Sequence, residues 1–271
     1  MVVTAVNPDI KSVVNLATTT KVVLVLEYDG TNYFGFQLQA NVPTIQGEIE
    51  EAIQKLTGER TRVLAASRTD TGVHARGQVV SFRTESTHSL QTFVNGLNHY
   101  LPGDIAVKVA YRVKDSFNVR SGALSREYNY YIFNGLTRSP LREGFSYLVP
   151  GELDIDAMNQ VCGALVGKHD FTSFMSSVGG EVKSAVRRVY RAEVSKEGEL
   201  VIFNMMANSF LPHQVRNTVG VLIRVGLGKM SGDEFYSIIE AKKPGLAGPT
   251  APACGLCLMQ VNYPRPLEEE I

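Results

Sequence analysis

Apolar positions along the chain alternate at a period of two in some stretches and recur at helical spacing in others, and these switches divide it into strands and helices. Residues 21–27 form a short β-branched run that ends at the turn signal Asp29-Gly30. Pro43-Thr44 then opens a helix carrying Ile45, Ile49, Ala52, Ile53 and Leu56 on one face, with Gly58 to stop it. Residues 62–66 and 78–83 read as strands on either side of a polar, glycine-containing loop. Leu90, Phe93, Val94 and Leu97 predict a second helix, and Ile105, Val107, Val109 and Tyr111 a half-buried strand. Tyr128, Tyr130 and Ile132 share one face of a further strand, and Ile155, Met158, Cys162 and Leu165 form a helical stripe. Strands follow over 186–194 and 200–206, helices over 212–225 and 233–241, and a final strand over 256–261.

Strands and helices are mixed without the regular βα alternation of a doubly wound parallel sheet, so the pattern predicts an α+β protein of two similar halves. The expected organisation is an N-terminal extension over 1–20, one half over 21–114, a linker over 115–123, a second half over 124–265 and a short acidic tail over 266–271. Gly226-Leu227-Gly228 follows a helix instead of opening one, which is the wrong context for a phosphate loop.

Composition narrows the class. The 271 residues are 44% hydrophobic and 20% charged, enough to bury a core and unlike a disordered chain. No apolar run approaches the roughly 18 residues of a membrane span, so a soluble, cytoplasmic protein is expected. Three cysteines argue for a reducing compartment. Cys254 and Cys257 have the spacing of a redox pair or half a zinc site, but no second pair exists; buried structural thiols and no metal are the expectation. Basic and acidic residues balance at 27 each, so any binding of a polyanion needs a local concentration of cations. Two runs offer one: Arg62, Arg68, Arg76 and Arg83 against Asp70 alone, and Lys183, Arg187, Arg188 and Arg191 with no acid.

The segment Ser67-Arg68-Thr69-Asp70-Thr71-Gly72-Val73-His74-Ala75 sets a carboxylate between two threonine hydroxyls, two residues after an arginine. On composition alone it could be an Asx-turn in which Asp70 serves loop N–H groups. It resembles, however, the active-site loop of the TruA family of tRNA pseudouridine synthases, [GS]-R-T-D-x-G-V-H-A. Further motifs resemble that family in the same order: Tyr28-Asp29-Gly30 through Gln37, Thr44-Ile45-Gln46 through Glu50, Arg126-Glu127-Tyr128-Asn129-Tyr130, Asp170-Phe171-Thr172-Ser173-Phe174, Val215-Arg216-Asn217-Thr218-Val219-Gly220, and Ala251-Pro252-Ala253-Cys254-Gly255-Leu256. Phe36 stands where many members have tryptophan.

The resemblance implies two halves whose largely antiparallel sheets form a central sheet flanked by helices, with the active-site cleft between them. It implies a cofactor-free isomerisation of uridine to pseudouridine in the anticodon stem-loop of tRNA, at positions 38, 39 and 40, by a homodimer. Asp70 would be the catalytic carboxylate, acting on C1′ or as a base on the ribose, with Arg216 as its cationic partner and Tyr128 against the target base. On the polar-to-small stripe His213, Arg216, Asn217, Gly220 and Arg224, spacing independently sets Arg216 apart from the apolar face of its helix. Arg68 would hold the flipped nucleotide, whose extrusion costs a few kcal/mol. Arg126, His74, Lys183, Arg187 and Arg188 complete the expected substrate-binding set, His74 more by hydrogen bonding within its loop than by contact. The competing readings are a tRNA-binding or chaperone module without catalysis, an aspartate-nucleophile hydrolase such as a glycosidase, and a synthase acting on other tRNA uridines.

Overall fold

The computed structural model describes residues 19–176 and 184–270; Lys183 and residues 1–18 lie outside them. The first described strand, β1 (Thr20–Tyr28), is buried at Val22, Val23 and Leu24 in succession, as suits a strand covered on both faces of its sheet. Helix α1 (Ile45–Thr57) starts where Thr44 Oγ1 accepts the Gly47 N–H at 3.2 Å and ends at Gly58, whose φ of 77° suits a glycine. Its buried face is Ile45, Ile49, Ala52 and Ile53, as the periodicity predicts.

There follow β2 (Leu64–Ala65), β3 (His74–Thr84), α2 (Leu90–Tyr100), β4 (Ile105–Val113), β5 (Ser125–Phe133), β6 (Tyr147–Leu148), α3 (Ile155–Cys162), β7 (Gly167–Asp170), β8 (Val186–Glu197), β9 (Leu200–Ala207), α4 (Gln214–Gly226), α5 (Gly232–Ala241) and β10 (Leu256–Asn262). The strands form one sheet in the order β4-β1-β3-β10-β5-β9-β8-β7, with β2 added to β3 and β6 to β5. Pairing is antiparallel except between β5 and β6 and between β3 and β10. The β3–β10 seam is short, matching Cys257 with His74 and Leu258 with Ala75, and it joins the antiparallel blocks built from the two halves of the chain. The segment expected as a linker runs between β4 and β5.

Several expectations change in detail. The strand expected over 62–66 shrinks to the two residues of β2, because the Val63 N–H is taken by the Glu50 carboxylate at 2.9 Å, away from the ladder. The helix expected from Pro212 begins at Gln214, since His213 sits in the left-handed region at φ 61°. The polar-to-small stripe packs inward at Asn217, which is buried and hydrogen-bonded to Phe174 and Thr250, and at Gly220, which abuts Pro249. The stripe from Ile155 to Leu165 stays packed although α3 gives way to a 3₁₀ turn at Gly163. No helix among the described residues is long and apolar enough to cross a membrane.

Candidate active site

The loop from Ser67 to Val73 leads from β2 into β3 and is fixed from several sides. The Val73 N–H donates to the Asp70 carbonyl at 3.1 Å, closing a turn. The Phe36 N–H donates to the Thr69 carbonyl at 3.0 Å, and the Tyr28 and Thr69 hydroxyls share a 2.8 Å hydrogen bond. The Gln78 amide donates to the Ser67 carbonyl at 2.7 Å and accepts the Ser67 N–H at 3.3 Å. A Cβ at Gly30 would lie 2.0 Å from the Val73 carbonyl oxygen, so only glycine lets the first motif serve as the bed of the loop.

Among the described residues the Asp70 carboxylate faces the side chains of Arg216 and His213 and no loop N–H group. Its Oδ2 accepts from Arg216 Nη1 at 3.3 Å and lies 3.6 Å from His213 Nε2. Arg216 is itself aimed, its Nε donating to the Ala251 carbonyl at 2.8 Å while the Ala251 N–H returns to the Arg216 carbonyl at 3.2 Å. The pair offsets the cost of taking a carboxylate part-way out of water.

Asp70 opens into a cavity of about 480 Å³. Its wall includes Tyr128, Phe210, Leu256 and the guanidinium groups of Arg68, Arg120, Arg126, Arg187 and Arg216. Asp70 is the one acid among the lining residues, so a chain of zero net charge concentrates cations here. Tyr128 comes from β5, with its hydroxyl 2.9 Å from Ser67 Oγ and its ring edge-on to Phe210 at 5.2 Å. Burial pushes the Tyr128 phenol up to about 12. Tyr130 is buried in the core and donates to the Pro252 carbonyl at 2.7 Å.

The arginines differ in what they are free to do. Arg126 is buried, and its two terminal nitrogens donate to the carbonyls of Ala66, Arg120, Ala123 and Asn208, clamping the Asp70 loop to the chain before β5. Arg187 donates to the Ser184 and Val186 carbonyls and keeps a buried Nε without a partner among the described residues. Burial lowers the pKa of both. Arg68 and Arg120 are exposed at the cavity rim. Arg188 is exposed and does not line the cavity. Among the described residues of the two basic runs, Arg68 and Arg187 alone reach it: Arg62 and Arg83 pair with Glu50 and Asp115, and Arg191 with Glu127.

His74 also lies off the cavity wall. Its Nδ1 accepts the Gly30 N–H at 3.1 Å, its Nε2 faces the Gly144 and Cys254 carbonyls at 2.9 and 3.1 Å, and its ring stacks on Phe145. Asp170 caps its own turn through Thr172. Burial raises all three thiols, pushing Cys257 up to about 11, and no cluster of metal-ligating side chains occurs among the described residues. Arg120, Phe210 and the contact of His213 with Asp70 are contributions the sequence reading did not assign.

A carboxylate, a buried aromatic ring and several arginines lining one cavity make a site whose chemistry suits a nucleotide. The family model for tRNA pseudouridine synthase matches residues 24–120 and 161–264, and the chain belongs to that family. It is 42% identical to tRNA pseudouridine synthase A of Pelobacter propionicus over 89% of this chain and 98% of that protein. The corresponding protein of Caldicellulosiruptor bescii is 42% identical over 89% and 99%, and that of a Roseiflexus species 44% identical over 90% of each. A solved archaeal box H/ACA sRNP Nop10–Cbf5 complex aligns over 74% of this chain and 44% of its own at a TM-score of 0.34 and 12% identity, too slight a likeness to carry weight.

Proposed function

We propose that the protein isomerises uridine to pseudouridine in tRNA, in the anticodon stem-loop at positions 38, 39 and 40, working as a homodimer in the cytoplasm. The observation that carries the reading is Asp70, held by Arg216 at 3.3 Å in a cavity whose other walls are Tyr128 and four further arginines.

The target nucleotide is turned out of its stack into the cavity, and Arg68 and Arg120 at the rim engage its phosphates. Asp70 acts on the ribose, either at C1′ as a nucleophile or as the base that removes a ribose proton. The N1–C1′ bond breaks, the base turns, and C5 bonds to C1′. C5 then carries both its hydrogen and the new bond, and loses that hydrogen as a proton while N1 ends protonated, so no atom is gained or lost overall. The Tyr128 phenol stacks on the base and is neutral at pH 7. Any proton the phenol takes from C5 is matched by its own proton passing to Ser67 Oγ at 2.9 Å, the Ser67 hydroxyl proton leaving in turn to solvent, while N1 takes up a proton from solvent.

The hydrolase reading loses its footing in the lining of the cavity. A retaining glycosidase needs a second carboxyl about 5 Å from the first, and Asp70 has no acidic companion there. The test is tritium release from tRNA labelled at uridine C5, with wild type and Asp70→Asn. Release by wild type alone, mapped to the anticodon stem-loop, is expected. Release mapped elsewhere would move the substrate position, and tRNA binding without release by either protein would leave a binding module. Light scattering at working concentration reads the dimer.

A further inference from the structure

Asp70, His213 and Arg216 each have two open sides. One faces the cavity shared with Tyr128; the other faces a separate recess of about 390 Å³ that also takes in Phe34, Gln37, Gln39 and Thr71. The chemistry of the two differs. The first is lined by five arginines, whereas the recess has no ionisable side chain beyond Asp70, Arg216 and His213. What remains is an aromatic ring, two amides and hydroxyl groups, a lining that offers a phosphate no second cation but suits a neutral planar heterocycle with hydrogen-bonding edges.

Phe34 is the unusual element. Its ring is 50% exposed, yet its backbone is fixed, the N–H donating to the Pro43 carbonyl at 2.9 Å and the carbonyl accepting from the Gln39 amide at 2.6 Å. An exposed phenylalanine on a pinned backbone is a ready stacking platform, with little ordering left to offset on binding. Because the recess and the cavity share Asp70, His213 and Arg216 as a common wall, whatever occupies the recess lies directly beside the reacting nucleotide.

We infer that the recess takes the base of the nucleotide adjacent to the target uridine, stacked on Phe34 with the Gln37 and Gln39 side chains at its edge, so that Phe34 is a specificity-determining residue. The inference rests on the first cavity holding the target.

The test is a double-mutant cycle between enzyme and substrate, read by C5 tritium release: wild type, Phe34→Ala, Phe34→Leu and Phe34→Tyr against intact tRNA and tRNA made abasic at one neighbour of the target. Loss of one base–aromatic stack corresponds to about a tenfold effect. Phe34→Ala and Phe34→Leu should each raise KM about tenfold on intact tRNA with kcat within about twofold, and Phe34→Tyr should behave as wild type. The abasic neighbour should cost wild type the same factor and cost Phe34→Ala nothing further. A loss confined to kcat, an unchanged KM, or losses that multiply on the abasic substrate would each overturn the assignment. Absence of release by wild type would instead strike the reading of the first cavity.

Discussion

Gly220 lies one helical turn beyond Arg216 and decides where that arginine points. In an open helix, glycine to alanine stabilises by about 1 kcal/mol. Here an added Cβ would sit 2.0 Å from the Pro249 carbonyl oxygen. An ordinary contact of that kind is about 3.3 Å, so the backbone at 249–251 and α4 must separate by about 1.3 Å. The moving segment holds Arg216 through the 2.8 Å bond from its Nε to Ala251, the returning Ala251 N–H, and the Thr250–Asn217 bond. Overpacking of this sort costs about 1–3 kcal/mol, which outweighs the helical gain. Misplacement by about 1 Å near reacting atoms costs about a hundredfold in rate. Gly220→Ala should therefore melt up to about 8 °C lower and lose about a hundredfold in kcat for tritium release. Its affinity for tRNA should hold within a few-fold, because the other guanidinium groups come from other segments. Gly163→Ala is the control: that glycine is right-handed at φ −55° with nothing within 4 Å of an added Cβ, so it should be neutral or stabilising. A Gly220→Ala enzyme that kept more than about a third of its kcat, or melted higher than wild type, would refute the reasoning.

Further outcomes follow from the same geometry. Arg68→Ala and Arg120→Ala should each lower the slope of log affinity for tRNA against log salt by about one. Arg126→Lys should lower the melting temperature while leaving that slope unchanged, since its donors are committed to carbonyls; an altered slope would place it on a phosphate. Ser67→Ala, which removes the partner of the Tyr128 hydroxyl, should lower kcat about tenfold or more with KM unchanged; a loss in KM alone would remove Ser67 from the proton path. The Tyr128 phenol is protonated in folded and unfolded chains below pH 10. Above that the unfolded chain ionises first, so stability should fall as pH rises from 10 through about 12, and flat urea midpoints across that window would contradict its burial.

The local grammar of the chain is highly legible. Thr44 and Gly58 bound α1 by capping chemistry that depends on a few adjacent residues, and the face of α1 follows from its apolar spacing. β6 and β7 carry little signal because two or four residues cannot show a period. The 62–66 segment misleads because a distant carboxylate on α1 claims its backbone. The site divides in the same way. Asp70, Tyr128 and Arg216 come from strings long enough to resemble a family, and the structure brings all three to one cavity. Arg120 and Phe210 stand in no string and reach it only through tertiary packing. Charge is the clearest instance: the described residues of the two basic runs give the cavity only Arg68 and Arg187, while Arg120, Arg126 and Arg216 reach it from elsewhere in the chain. Linear clustering and spatial clustering of charge are different quantities, and only the second bears on phosphate binding.

The parallel seam between β3 and β10 also governs when the site comes into being during synthesis. Asp70 is translated early, but its arginine is 146 residues away, and β10 lies further still toward the C-terminus. While residues 256–262 remain in the ribosomal exit tunnel, β3 and β5 each lack the neighbour that separates them, and the cavity lacks its Leu256 wall. Those two open edges invite pairing with other strands until β10 slides between them. Until then the carboxylate has no assembled cavity to work in.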